Sequence, residues 1–208
     1  SLTYSGGKIY FAADNYSQGS ELWVTDGTSD GTNLVQDINA TTLSANPTAF
    51  IRSGASLYFT ADDDVHGSEL WRVDQATGSV TMLEIRPGSS GSSISELRDV
   101  NGILYFQAYH PDTGYELYRI TDTDAQPVLI DLRSGAGSAY PSNLTVVNGT
   151  LYFQAYSNTA GYELWQLPAG GDPSVIDVRS GGNSSYPENL LNANGVLYFT
   201  ATNGTNGR

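Results

Sequence analysis

A chain of 208 residues, 39% of them hydrophobic, carries enough apolar material for one large domain or two small ones and does not read as disordered. Nine Lys and Arg against 22 Asp and Glu leave a net charge of −13, which disfavours phosphate backbones and anionic membranes as partners, and no apolar run reaches the roughly 18 residues of a membrane span. With no cysteine, disulfides, thiol catalysis and cysteine-based zinc sites are excluded, while 23 Gly, 8 Pro and 14 Tyr suit short strands joined by tight turns.

From the start of the chain, Ser1 to Tyr4 reads as a first strand and Ile9-Tyr10-Phe11 as a second. Glu21-Leu22-Trp23 supplies a third and Val35-Gln36-Asp37-Ile38 a fourth. The set then returns. Leu57-Tyr58-Phe59, Leu104-Tyr105-Phe106, Leu151-Tyr152-Phe153 and Leu197-Tyr198-Phe199 repeat the second element, with tyrosines 48, 47, 47 and 46 residues apart. Glu69-Leu70-Trp71, Glu116-Leu117-Tyr118 and Glu163-Leu164-Trp165 repeat the third, and Leu83-Glu84-Ile85, Ile130-Asp131-Leu132 and Ile176-Asp177-Val178 the fourth. Asn101-Gly102, Asn148-Gly149 and Asn194-Gly195 each join two apolar runs, a strong signal for a two-residue hairpin. In the copy best spelled out, the strands are Asn143–Val147, Leu151–Ala155, Tyr162–Leu167 and Ser174–Val178. No helical period is sustained anywhere.

Four short antiparallel strands per repeat of about 47 residues define an all-β fold, a β-propeller of four-stranded blades. Approximate blades run over 1–45, 46–92, 93–139 and 140–185, with the inner half of a fifth over 186–208. A β-solenoid is the competing repeat fold, but it has shorter coils and fewer hairpins. Gly19, Gly67, Gly114, Gly161 and Gly207 occupy one equivalent loop position, so the chain stops one residue short of a fifth Glu-Leu-aromatic strand. The expected partners are therefore the rest of a longer chain, or other copies of the protein, at the open half-blade.

The run Glu21-Leu22-Trp23-Val24-Thr25-Asp26-Gly27-Thr28 resembles the ELWxxDGT repeat family of large exported bacterial proteins, and the flanking elements agree over essentially the whole chain. Only the first copy holds the full motif; Trp71 and Trp165 are followed by drifted sequence. The resemblance implies a propeller-like fold and a secreted or cell-surface setting, and it brings no catalytic residues. The functional expectation is a non-catalytic extracellular module for surface architecture or adhesion, self-assembling through its incomplete blade. The alternative is a lectin-like glycan binder, and an enzyme is not expected.

Several residues are candidates for chemistry. Arg133 and Tyr140, and Arg179 and Tyr186, recur in near-identical segments between blades and could grip a ligand such as a sugar, or merely pack the crossover. The repeated acids Glu21, Glu69, Glu116 and Glu163 recur once per blade, unlike a catalytic pair, and are expected to satisfy backbone donors or pair with Arg86, Arg133 or Arg179. No cofactor is expected. Asp62, Asp63 and Asp64 are a candidate calcium site, although they lack the alternating spacing of a calcium loop. His66 and His110 read as solvated loop residues, and Asn15, Asn39, Asn143, Asn148, Asn183 and Asn203 stand in glycosylation sequons.

Overall fold

A computed structural model describes residues 2–207, and its described residues contain strands, turns and bends but no helix. The first blade consists of β1 (Leu2–Ser5), β2 (Lys8–Asp14), β3 (Ser20–Thr25) and β4 (Asn33–Gln36). The second has β5 (Thr48–Ser53), β6 (Ser56–Asp62), β7 (Ser68–Asp74) and β8 (Val80–Leu83). The third has β9 (Ser95–Val100), β10 (Ile103–His110), β11 (Gly114–Ile120) and β12 (Val128–Ile130). The fourth has β13 (Ser142–Val147), β14 (Thr150–Ser157), β15 (Gly161–Pro168) and β16 (Ser174–Ile176). A two-stranded sheet of β17 (Glu188–Ala193) and β18 (Val196–Thr200) follows. In each four-stranded sheet the strands lie in sequence order and pair antiparallel. Four blades and an inner half-blade are what the repeat arithmetic predicts.

One register serves all four blades. Phe11 faces Trp23, Phe59 faces Trp71, Phe106 faces Tyr118 and Phe153 faces Trp165. Three of these cross-strand pairs stack, with ring centroids 6.5, 5.9 and 6.4 Å apart. The predicted hairpins form as well. Asn101, Asn148 and Asn194 take φ of 55, 50 and 53°, each followed by a glycine near +80°, so both central residues are left-handed, as a type I′ turn requires.

The chain divides into two compact units, one of residues up to Ile94 together with Thr121–Pro127, the other of Ser95–Ile120 with the chain from Val128 onward. In the first, Tyr10 and Leu22 from one blade meet Leu57, Phe59, Ala61 and Val73 from the next in a single core cluster. In the second, Tyr105 and Leu117 meet Leu151, Phe153, Trp165 and Leu167. Each unit thus gains its core by laying one sheet on another, and each fully buried leucine removed from water contributes about 1.5–3 kcal/mol. Within the units, β1 lies beside β5, and β13 lies beside both β9 and β17, so the first strands of successive blades are neighbours.

Two details depart from the sequence reading. The last strand of the fourth blade ends at Ile176 instead of Val178, because the Val178 N–H turns away to the Glu163 carboxylate. The first strand of every blade after the first also carries one extra residue against its partner. Ala49, Glu96, Asn143 and Asn189 sit at these bulges with φ between 52 and 60°.

Candidate functional site

The four recurrent glutamates come first, because they anchor the segments where the other candidates lie. Glu21, Glu69, Glu116 and Glu163 are completely buried in the third strand of their blades. Each carboxylate reaches across to the crossover that leaves the same blade. Glu21 accepts the N–H of Ile38 at 2.7 Å and of Ala45 at 3.0 Å. Glu69 accepts Ile85 N–H and the Ser92 hydroxyl, Glu116 the N–H groups of Leu132 and Ala139, and Glu163 those of Val178 and Ser185. Of the two expected roles, the backbone one is realised. The pairing with arginine is corrected: Arg86, Arg133 and Arg179 instead donate to carbonyls five residues further on, of Gly91, Ser138 and Ser184, and brace their own loops. Burial pushes Glu116 up to about 7, against the pull of the Leu132 and Ala139 N–H groups, and it raises Glu21 and Glu69 in the same direction.

This anchoring presses each crossover onto the preceding hairpin glycine. Gly19, Gly67, Gly114 and Gly161 have φ of 74, 69, 75 and 72°. A Cβ on Gly114 would meet the Ser138 hydroxyl and lie 2.9 Å from the Ser138 nitrogen. Glycine is demanded there twice, by its dihedral and by the close approach.

On this scaffold the third and fourth blades raise a ridge of tyrosines. Tyr115 lies 5.0 Å from Tyr109 and stacks on Tyr140 at 5.5 Å; Tyr162 lies 5.1 Å from Tyr156 and stacks on Tyr186 at 5.6 Å. Arg133, on the crossover that carries Tyr140, lies against the second trio. Its guanidinium sits 4.7 Å above the Tyr156 ring, and its Nε donates to the Asn158 side chain at 3.0 Å. Burial raises the Tyr162 phenol above its ordinary value, with Tyr140 and Tyr186 adding to the rise and Arg133 opposing it. Tyr140 and Tyr186, the outer rings, remain 46% exposed. Of the residues singled out in the sequence, Arg133, Tyr140 and Tyr186 therefore belong to this ridge. Arg179 braces Ser184 and packs against Gly204. Sequence reasoning missed Tyr109, Tyr115, Tyr156 and Tyr162. A position-by-position comparison of the copies contains the signal, since Asp14, Ser20 and Asn46 occupy the three trio positions in the first copy.

The other candidates are local. Asp62 accepts the Asp64 N–H, and Asp63 accepts those of Val65 and His66 and also meets His66 Nδ1 at 2.7 Å. The acidic run therefore caps its own turn. Among the described residues no group of three or more His, Cys, Asp or Glu is placed to hold a metal. His110 receives the Asp112 N–H. Asn39 is only 2% exposed and its side-chain oxygen accepts from Thr41, so this sequon is shut to modification; Asn15, Asn143, Asn148, Asn183 and Asn203 are exposed.

No family model matches the sequence, and no curated protein matches it. Solved structures do. A puromycin hydrolase superposes with a TM-score of 0.52 at 19% identity over 95% of this chain and 32% of its own, and a second puromycin hydrolase structure gives 0.50 at 19% over 93% and 31%. A structure from work on two prolyl endopeptidases gives 0.52 at 17% over 84% and 25%. At such identities the likeness is one of fold, and this chain spans a third or less of each of those chains, matching a propeller-like part of them. The expectation of a structural or adhesion module that self-assembles, with a lectin as its alternative, is corrected by these likenesses, since the chains that share the blades are a hydrolase and an endopeptidase.

Proposed function

We propose that this chain is a run of β-propeller blades serving as the non-catalytic part of a peptidase-type hydrolase, where it docks peptide chains. One observation carries the reading: nearly the whole chain superposes on about a third of a puromycin hydrolase. The tyrosine ridge supports it, offering a rigid aromatic surface on which an extended chain can lie. In the same reading the β17–β18 pair is the inner half of a further blade. Incubating the purified protein with a peptide library tests the role. Peptides retained by the protein with unchanged masses support it, whereas cleavage by this chain alone, or retention of none, contradicts it.

A further inference from the structure

The blades do not need the tyrosine ridge. The Tyr140 N–H donates to the Tyr115 carbonyl at 3.2 Å, and the Tyr156 N–H to the Ala139 carbonyl at 2.7 Å. The crossover between the first two blades makes the same pair of bonds with no tyrosine present: Asn46 N–H to the Ser20 carbonyl at 3.1 Å, and Asp62 N–H to the Ala45 carbonyl at 3.0 Å. The backbone angle is shared too, with φ of 49° at Asn46 and 50 and 48° at Tyr140 and Tyr186. Asn tolerates the left-handed region, whereas a bulky Tyr is strained there. Two copies of one repeat thus place tyrosine where the other two have Asn46 and Ser93 at the same backbone angle. Half-exposed rings at these equivalent positions, each stacked on a neighbouring tyrosine, form a surface that the backbone itself does not require.

We infer that this ridge binds proline-containing peptide in the extended polyproline II form. The inference rests on the peptide-docking role proposed above and names its ligand class. Stacked phenol faces accept the flat sides of pyrrolidine rings, and a polyproline II chain has no internal hydrogen bonds, so its carbonyls are open to phenol hydroxyls. The two trios, joined where the Tyr156 N–H meets the Ala139 carbonyl beside Tyr140, provide two aromatic stations for prolines. Both partners are ordered before they meet, which keeps the entropic loss on binding small. With a net charge of −13, the protein favours peptides that carry arginine or lysine beside the prolines.

Fluorescence anisotropy with a labelled peptide of Pro-Pro-Arg repeats, set against one of Ala-Ala-Arg repeats, tests this on the whole chain. The proline peptide will bind about tenfold tighter or better. The double variant Tyr140→Asn/Tyr186→Asn will lose that preference while melting no lower than the parent, because asparagine suits the backbone at both positions. Equal binding of the two peptides by the parent, or a preference that survives the double substitution, overturns the inference. Library peptides retained without proline would sink this ligand class and leave the docking role standing, whereas retention of no peptide removes both.

Discussion

At the scale of single residues, the buried glutamate decides where each blade ends and the next begins. In the third blade the carboxylate of Glu116 supplies the acceptor that the Leu132 N–H otherwise lacks and shares the Ala139 N–H with the Tyr115 carbonyl, so an irregular crossover is held as firmly as a strand. Replacing Glu116 with alanine orphans the Leu132 donor, while Ala139 keeps the Tyr115 carbonyl; the loss of about 1–3 kcal/mol will lower the melting temperature by roughly 3–10 °C at pH 5. The effect depends on pH. Burial raises the folded-state pKa of Glu116 from 4.5 to about 7, so the stability this group contributes is fully present below pH 4.5 and is lost as pH rises through 7. Glu21 and Glu69 shift in the same direction, as does His66, which the Asp63 hydrogen bond raises. The parent protein is therefore expected to melt several degrees lower at pH 8 than at pH 5, with a smaller fall in the Glu116→Ala variant. Scanning calorimetry at the two values checks both; a parent more stable at pH 8 contradicts the assignment. Asp26 and Asp74, held below 3.8 by hydrogen bonds from Thr28 and from Thr77 respectively, work the opposite way, and their share is lost only in stronger acid.

At the scale of elements, what the sequence could reveal followed the residue types that turns and registers demand. The Asn-Gly hairpins were legible because few other pairs tolerate two successive left-handed residues, and the equivalent loop glycines because crossover backbone leaves no room for a Cβ. Gly114→Ala combines a wrong dihedral with a clash against Ser138, and is expected to destabilise the protein by about 2–3 kcal/mol in urea unfolding. A variant as stable as the parent would mean that the hairpin and the crossover do not touch. The strand bulges stayed hidden, since Ala49 and Glu96 adopt left-handed angles with no glycine or asparagine to announce them. The arginines were misjudged for a different reason: a guanidinium can reach a carboxylate or a carbonyl, and sequence spacing cannot choose between them. Two of the six tyrosines of the ridge were visible as Tyr140 and Tyr186, whereas their companions lie about 24 to 31 residues earlier and meet them only once the blade is folded.

For the whole molecule, repetition made the fold readable and left function obscure. Sheets that pack on one another write the same apolar letters every 47 or so residues, so strand count and order followed directly. A binding surface on such a scaffold is written in departures from the repeat, which a search for sameness passes over. A buried carboxylate in each of the four blades captures the amides of the crossover that leaves it. Amide hydrogen exchange on the intact chain tests it most directly. Ile38, Ala45, Leu132 and Val178 lie outside the strands, yet their amides, bonded to the glutamates, should exchange as slowly as those of β6, β10 and β14. Exchange of these amides at the rate of the exposed loops would contradict it.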